Sequence, residues 1–268
     1  MSAPQAIIVV PCFNEAERLQ PETFRRFLDA APDVEVLMVD DGSTDATADV
    51  LQELAASCAQ IQVHELAHNS GKAEAVRQGM LRACARGPVF AGYWDADLAA
   101  PLGAIPLLMD VLRANPALDL AMGSRVQLLG SRIRRSAYRH YLGRVLATGA
   151  AAVLRLPVYD TQCGAKLLRV NDRTCSVFAR RFDSRWLFDV ELLARLLAAQ
   201  TDPRVDPQMR INELPLPEWT EVAGSKVRMR DGVAALIELY RIHRAYGTAR
   251  QRWQTDVLGV VQDSAISP

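Results

Sequence analysis

The sequence predicts an α/β fold in which helices flank a mainly parallel β-sheet. Short apolar, β-branched runs alternate with helical patterns through the first 125 residues of the 268-residue chain. Such alternation is typical of parallel strands joined by helical crossovers. Half of the residues are hydrophobic and 23% are charged. This composition allows a sizeable core and excludes a wholly disordered chain.

The first half of the chain contains five strand patterns, and polar or turn-forming residues close each of them. Ala6–Val10 is closed by Pro11, and Val34–Val39 ends at Asp40. Thr44 is placed to cap the helix after the second strand, and Pro101 to open the helix after the fourth. The predicted strands are residues 6–10, 34–39, 61–66, 89–94 and 119–122, and the predicted helices are 15–30, 44–59, 72–86 and one that begins at 101.

The strand–helix alternation stops after Arg125. We predict a long helix over Ser131–Leu156, basic in its first half and apolar in its second, and then a turn-rich loop over Asp160–Gly164. Strands are predicted at residues 166–170 and 208–216, and helices at 189–199 and 230–246. We interpret residues 1–252 as one domain with halves 1–125 and 126–252, and residues 253–268 as a loosely ordered tail.

Charge and cysteine content narrow the class of protein. Lys+Arg and Asp+Glu both number 31, so no bulk charge favours a nucleic-acid partner. No secretory signal pattern is evident, and no apolar run reaches the ~20 residues that span a bilayer. We interpret the cysteines as ordinary thiols in a reducing, cytoplasmic compartment, because they are odd in number and lack metal-site spacing. They are Cys12, Cys58, Cys84, Cys163 and Cys175.

Asp95 and Asp97 follow the fourth predicted strand and form the first candidate site. Two carboxylates one residue apart at a strand end can hold a hard divalent cation, whose other positions diphosphate oxygens and water would fill. The alternative is a pair of turn-forming aspartates, because an Asp-x-Asp triplet often arises by chance.

Two further polar clusters follow the first and second predicted strands. Asn14 and Glu15 come after Pro11, and Asp41 and Gly42 come directly after Val34–Val39. Asp41 can accept hydrogen bonds from a base or a ribose, and Gly42 allows a sharp turn into the next helix. The alternative is a capped strand-to-helix turn. Since ligands bind beyond the carboxyl ends of parallel strands, we expect these clusters, Asp95, Asp97 and Arg125 to line one crevice.

The combined motifs resemble those of family-2 glycosyltransferases with the GT-A, Rossmann-like fold. The resemblance covers roughly residues 5–230, in matching order and spacing, and its later segments are similar to dolichyl-phosphate glucosyltransferases and the related mannose synthases. The early motifs are Pro11–Glu15, Asp40–Asp45, Asn69–Lys72, Asp95–Asp97 and Gly123–Arg125, and the later ones are Asp160–Lys166, Arg185–Glu191, Trp219 and Gly224–Lys226.

The resemblance implies an inverting hexosyltransferase that uses Mg²⁺ or Mn²⁺ and a polyprenyl or dolichyl phosphate acceptor. Ala99 stands where mannose synthases typically carry Gln, so the implied donor is UDP-glucose and GDP-mannose is the alternative. The chain departs from the family at Ala165, where an aromatic residue is usual, and we expect it to lack the N-terminal membrane anchor of the eukaryotic glucosyl enzymes. Residues 1–125 then correspond to the nucleotide-sugar half, and residues 126–252 to a C-terminal extension on the acceptor side.

The resemblance also implies individual roles. Arg125 and Arg139 would bind the acceptor phosphate, and Lys226 would lie in a loop that closes over the diphosphate. The implied metal ligands are Asp97 and Asp95, and the implied catalytic residues are these two with Arg125 and Arg139. The implied substrate-binding residues are Pro11, Asn14, Glu15, Asp41, Gly42, Lys72, Asp95, Arg125, Arg135, Arg139, Gln162 and Lys226.

The segment Arg125–Arg144 contains several arginines and no acidic residue. Fork-shaped guanidinium groups suit a phosphate, and a basic face followed by the apolar stretch Ala147–Leu156 suits a helix on a membrane surface. We therefore expect a cytoplasmic protein with peripheral contact to the inner face of a membrane. The alternatives are a solvated helix face for the arginines and core packing for the apolar stretch.

The chain lacks the motifs of several other enzyme classes. The first strand is not followed by GxGxxG, the Gly71-Lys72 pair lacks the upstream glycine of a P-loop, and neither GxSxG nor HExxH is present. Two alternatives remain. One is a family-2 transferase that acts on a glycan or another hydroxyl acceptor, and the other is a non-catalytic sugar-nucleotide-binding protein.

Overall fold

A seven-stranded sheet forms the centre of the computed structural model, which describes residues 3–134, 137–200, 205–221 and 234–247. The strand order is β3-β2-β1-β4-β7-β5-β8, and β7 is the one antiparallel strand of this sheet. The mainly parallel sheet predicted from the sequence is confirmed. The strands of this sheet are β1 (Ala6–Cys12), β2 (Val34–Asp40), β3 (Ile61–Glu65), β4 (Phe90–Trp94), β5 (Leu120–Ser124), β7 (Ala165–Arg169) and β8 (Ile211–Pro215). Two short strands, β6 (Arg132–Arg134) and β9 (Glu218–Thr220), form a second sheet.

Helices cover both faces of the large sheet. Along β1, Ile7 and Val9 join one apolar cluster, whereas Ala6, Ile8 and Val10 join the other, as the alternation of a strand requires. The helices are α1 (Pro21–Ala30), α2 (Thr47–Ser57), α3 (Lys72–Ala85), α4 (Ala104–Ala114), α5 (Ala137–Leu154), α6 (Asp172–Ser176) and α7 (Phe188–Ala198), with a 3₁₀ turn at Pro207–Arg210 and a further helical segment at residues 234–247.

The predicted long helix over Ser131–Leu156 is wrong at its start. Residues Arg132–Arg134 form β6, which pairs in parallel with Glu218–Thr220 from more than eighty positions further along the chain. Ile133 is half-buried whereas Arg132 is exposed, as expected for neighbouring residues of a strand. The partner strand decides the conformation here, and no local pattern reveals it.

Other boundaries also differ from the predictions. Helix α2 begins at Thr47 and Thr44 does not cap it, and α4 begins at Ala104 rather than Pro101. The first helix begins at Pro21 rather than Glu15, because Arg18 and Leu19 turn back to bond the Glu15 carbonyl and proline then opens the helix. The predicted strand over residues 208–216 begins at Ile211, after a 3₁₀ turn in which Asp206 accepts the Gln208 N–H. The tail at residues 253–268 lies outside the described residues.

A disulfide joins Cys84 of α3 to Cys175 of α6, with 6.1 Å between their Cα atoms. The interpretation of all five cysteines as ordinary thiols is therefore wrong for this pair. The two residues are 91 positions apart, and only the packing of α3 beside α6 brings them together. Cys12 and Cys163 are buried free thiols, as expected, and burial raises the pKa of both.

The apolar stretch Ala147–Leu156 packs into the core. Ala147, Ala150, Leu154 and Leu156 are all buried, so the alternative of core packing is correct for these residues. Among the described helices, none combines the length and apolar character needed to cross a bilayer.

Candidate active site

The carboxyl ends of β1, β2, β4 and β5 lie along one edge of the sheet, because these strands run in the same direction. The predicted polar clusters follow these ends. Hydrogen bonds, an ion pair and close packing join these clusters into one continuous site, which runs from Asn14 through Asp41, Lys72 and Asp95 to the loop before β7.

The ends of β1 and β2 are joined through Asn14. Asn14 adopts a φ of 52°, a left-handed conformation that asparagine tolerates better than most residues. Its Oδ1 accepts the Thr44 N–H at 2.8 Å, and its own N–H donates to Ser43 Oγ at 3.0 Å. The Glu15 N–H donates to Thr47 Oγ1 at 2.8 Å. These bonds fix the turn after Pro11, a strand residue that pairs with Val39.

Asp41 is buried and fixes the start of α3. Its Oδ1 accepts the Ser70 N–H at 2.7 Å and its Oδ2 accepts the Gly71 N–H at 2.8 Å. Burial raises the pKa of Asp41 above its usual value, and these two bonds offset only part of that rise. Contact with a base or ribose through the remaining lone pairs stays a prediction.

Gly42 allows two loops to meet beside Asp41. It has a φ of +65°, and a Cβ there would lie 2.6 Å from the His68 carbonyl carbon. A side chain at this position would therefore push apart the β2–α2 loop and the segment before α3.

Lys72, the first residue of α3, reaches the aspartates at the end of β4. Its Nζ lies 2.5 Å from Asp95 Oδ1 and 5.9 Å from the centre of the Phe188 ring. Burial alone would lower the pKa of Lys72, but the carboxylates of Asp95, Asp189 and Asp97 outweigh it and raise that pKa. A permanent cation therefore stands beside the acidic pair.

The loop before β7 presses directly against Asp95. The Asp95 N–H donates to the Gly164 carbonyl at 3.0 Å, and a Cβ on Gly164 would lie 2.0 Å from Asp95 Oδ2. Only glycine leaves room for the carboxylate. The sequence shows Gly164 within the Asp160–Lys166 motif but gives no sign of this role, which depends on contact between residues 69 positions apart.

Asp97 lies two residues further along the chain, beside the Asp95 carboxylate. Its Oδ1 accepts the Ala99 N–H at 3.1 Å. Burial first, and then the neighbouring Asp95 carboxylate, raise the pKa of Asp97 despite this bond and the charge of Lys72. A bound cation would relieve this repulsion, so the two residues fit a divalent-metal site.

The aspartates alone do not complete such a site. Within the described ranges, no three His, Cys, Asp or Glu side chains cluster closely enough to hold a metal ion. Divalent magnesium and manganese take about six ligands, mostly oxygens, so a metal here would need oxygens from a diphosphate and from water.

A buried network beneath the site was missed by sequence analysis. Lys166 is fully buried, and its Nζ donates to Asp189 Oδ1 at 2.6 Å and to the Cys163 carbonyl at 2.7 Å. The Tyr93 hydroxyl donates to the same Asp189 oxygen at 2.5 Å. In the sequence, Asp189 starts a predicted helix and lies within the Arg185–Glu191 motif. In the structure, Asp189 binds Lys166, and Lys166 in turn binds the loop that contains Cys163.

Arg125 forms a fork with Asp160 rather than facing solvent. Its Nε lies 2.5 Å from Asp160 Oδ2 and its Nη2 lies 2.6 Å from Oδ1. The guanidinium group also stands 5.4 Å from the centre of the Trp219 ring. Burial would raise the pKa of Asp160, but Arg125 outweighs it and the pKa is lowered. The phosphate-binding role implied for Arg125 stays a prediction, since part of its donor fork is already used.

The remaining predicted site residues have mixed outcomes. The Gln162 N–H donates to Asp160 Oδ1 at 3.2 Å, and its side-chain Nε2 is buried with no hydrogen-bond partner in the described part of the chain. Arg139 lies in α5, but its side chain is outside the described part. Arg135 and Lys226 lie outside the described residues altogether.

Glu238, in the helical segment 234–247, holds the loop before α7. Its carboxylate accepts the Trp186 N–H at 3.0 Å and the Leu187 N–H at 2.9 Å, and it also accepts the Ser184 hydroxyl. This loop continues into Phe188 and Asp189. The sequence offered no signal for the contact, because Glu238 is one acidic residue in an otherwise ordinary helical pattern.

The chain is similar to known proteins over most of its length. Residues 7–182 match the model of the family described as Glycosyl transferase family 2. The dolichyl-phosphate beta-glucosyltransferase ALG5D of Trichomonas vaginalis is 30% identical over 256 residues, which cover 89% of this chain and 73% of that relative. The dolichyl-phosphate beta-glucosyltransferase of Drosophila melanogaster is 34% identical over 240 residues, or 82% and 68% of the two chains.

A solved structure supports the fold. The glucosyl-3-phosphoglycerate synthase of Mycobacterium tuberculosis, in complex with Mn²⁺, UDP-glucose and phosphoglyceric acid, superposes with a TM-score of 0.62 at 16% identity, over 90% of this chain and 80% of that one. It confirms the GT-A type of sheet, and the match to the family model covers well over half of the sequence. The chain belongs to glycosyl transferase family 2.

Proposed function

We propose that this protein transfers glucose from UDP-glucose to a polyprenyl phosphate of the dolichyl type, with inversion at the anomeric carbon and with a divalent metal. The observation that carries the proposal is the cluster of Lys72, Asp95 and Asp97 at the carboxyl edge of the sheet, with Gly164 packed against Asp95. Relatives described as dolichyl-phosphate beta-glucosyltransferases match this chain over the same region.

Asp95 and Asp97 are the residues that would hold Mg²⁺ or Mn²⁺. When bound, the ion would act as a Lewis acid that neutralises charge on the departing diphosphate. Lys72 adds a fixed cation on the same side, 2.5 Å from Asp95. The raised pKa of Asp97 supports the proposal, because carboxylates that repel each other gain most from a shared cation.

The state of the other carboxylates supports a phosphate acceptor. A hydroxyl acceptor needs a general base within reach of its proton. Asp41, Asp160 and Asp189 each accept hydrogen bonds from the protein itself, and Asp160 and Asp189 are also paired with cations. A phosphate monoester is already an anion at neutral pH and can attack in a single displacement without a base.

The acceptor phosphate needs cations. The part of the Arg125 guanidinium group that Asp160 leaves free is one of them, and the resemblance adds Arg135 and Arg139, whereas Lys226 would bind the diphosphate of the donor. We expect Arg139→Ala to weaken use of the acceptor while sparing donor binding. Equal loss of both would contradict this assignment.

The preference for UDP-glucose over GDP-mannose depends on Ala99. Its N–H donates to Asp97 Oδ1, and its methyl side chain offers no oxygen to a metal. A mannose synthase typically has glutamine at this position. The site therefore has one protein ligand fewer than that branch of the family.

Transfer assays with purified protein test the proposal. UDP-glucose and GDP-mannose are each supplied with Mg²⁺ or Mn²⁺ and with a polyprenyl phosphate, the matching polyprenol or a soluble sugar. We expect product only with UDP-glucose and the phosphate, complete loss in EDTA, and loss in Asp97→Asn at unchanged folding. Undiminished transfer in EDTA would exclude the metal role. Transfer to the polyprenol or sugar would favour the hydroxyl-acceptor alternative, and donor binding without any transfer would favour a non-catalytic protein.

A further inference from the structure

The helical segment 234–247 turns an apolar surface outward. Its inner side buries Leu239 and Ile242 in the core. On the outer side, Leu236, Ile237 and Tyr240 are 61%, 49% and 63% exposed. At about 100° per residue, these three side chains occupy a single face of the helix. Large apolar side chains gathered on one exposed face usually mark an interaction surface.

Helix α5 extends this surface. A Cβ on Gly149 of α5 would lie 3.0 Å from Leu239 Cδ1, and further along both helices Leu154 and Tyr246 line one cavity. The two helices therefore run side by side in the same direction. Val145 precedes Gly149 by one turn and is 66% exposed, which places it beside the start of the segment 234–247.

The same face carries positive charge. Arg244 is exposed and lies about 80° around the helix from Leu236, whereas Arg241 lies nearer Glu238 and lines a cavity with Asp183, Glu191 and Glu238. Glu238, the acidic residue of the segment, points the other way and binds the loop before α7. The outer face therefore combines apolar side chains with the cationic Arg244, and Glu238 lies outside it.

We propose that this docking face, formed by Val145, Leu236, Ile237, Tyr240 and Arg244, binds the surface of a bilayer that contains anionic lipid. Apolar side chains would enter the headgroup region, tyrosine favours that interface, and arginines attract anionic headgroups. The proposal rests on the proposed function in one respect, since a polyprenyl phosphate acceptor resides in a membrane. It moves the membrane contact away from Ala147–Leu156, which is buried.

The docking face lies close to the reaction site. On the inner side of the same helix, Glu238 holds the N–H groups of Trp186 and Leu187. The next residue, Phe188, contacts Lys72, which pairs with Asp95. A lipid phosphate at the membrane surface would therefore have only a short distance to travel.

Vesicle binding tests the docking face directly. Purified protein is sedimented with phosphatidylcholine vesicles, with or without phosphatidylglycerol. We expect binding to the anionic vesicles and release at high salt. Arg244→Gln should weaken binding about fivefold, from about 1 kcal/mol for one charge. The double variant L236S/Y240S should weaken it at least about tenfold. Leu107→Ser on α4, another exposed leucine, is the matched control and should bind as the wild type does.

Activity separates this inference from the proposed function. With UDP-glucose and a short-chain polyprenyl phosphate dispersed in detergent, the docking-face variants should match the wild type in rate and melting temperature. With a long-chain acceptor in vesicles they should be at least about tenfold slower. If the variants bind vesicles as the wild type does, the docking face is wrong. It is also wrong if the wild type binds no vesicles and instead forms a dimer that the same variants dissociate. If no phosphate acceptor is used by the wild type, the proposed function fails, and vesicle binding still decides the docking face.

Discussion

Replacing Gly164 with alanine tests whether the loop before β7 sets the position of Asp95. The new Cβ would lie 2.0 Å from Asp95 Oδ2 and 2.1 Å from its Cγ, whereas real Cβ contacts essentially never fall below 3.0 Å. The carboxylate must therefore retreat by about 1 Å. A misplacement of that size in a reacting group can cost about 10²-fold in rate. We expect kcat to fall roughly a hundredfold.

The fold should tolerate this change. Gly164 does not adopt a left-handed φ, and the clashing atoms belong to the end of one side chain rather than to the backbone. Stability should change by less than about 1 kcal/mol. The measurements are kcat for UDP release, with UDP-glucose, Mn²⁺ and polyprenyl phosphate, and the melting temperature. Gly103→Ala is the matched control, because no atom lies within 4 Å of its Cβ position.

The Asp95→Ala variant shows whether the effect of Gly164→Ala acts through the Asp95 carboxylate. Introduced into Asp95→Ala, the Gly164→Ala change should cause no further loss, because the carboxylate it displaces is absent. Retention of more than about a third of kcat in the single variant would refute the reasoning, as would equal losses in both backgrounds.

Three further predictions concern stability and positioning. Cys84→Ser should lower the unfolding free energy by about 2–4 kcal/mol, because the disulfide closes a long loop in the unfolded chain, and reductant should lower the melting temperature of the wild type but not of this variant. Glu238→Gln should reduce kcat with little change in melting temperature, because it weakens the hold on the loop before α7 while keeping its shape; an unchanged kcat would contradict this. The lowered pKa of Asp160 predicts that its pairing with Arg125 stabilises the fold fully above about pH 4 and that this contribution disappears as pH falls through the lower folded-state pKa. In the acid range, the free energy of unfolding of Asp160→Asn should depend less on pH than that of the wild type. An unchanged pH dependence would count against the pairing.

Much of the fold could be predicted because local signals specify it. The strands near Ala6–Val10 and Val34–Val39 are continuous apolar runs, and the residues after them form turns with fixed sequence preferences. Because the strands are parallel, their carboxyl ends place Asn14, Asp41 and Asp95 at one edge of the sheet. This placement can be predicted without knowing any long-range contact.

The contacts that hold the site in place could not be predicted in this way. The fork between Arg125 and Asp160, the buried bond from Lys166 to Asp189 and the hold of Glu238 on the loop before α7 all join distant positions. A charged residue looks the same in a sequence whether it faces water or a partner.

The sequence by itself determined the parallel sheet and which acidic residues would stand at its edge, since both follow from short-range patterns of apolar and turn-forming residues. Only the tertiary structure decided which of those charges are free to meet a ligand. Burial and pairing depend on residues far apart in the chain, and their energies are set by distances that exist only after the chain has folded.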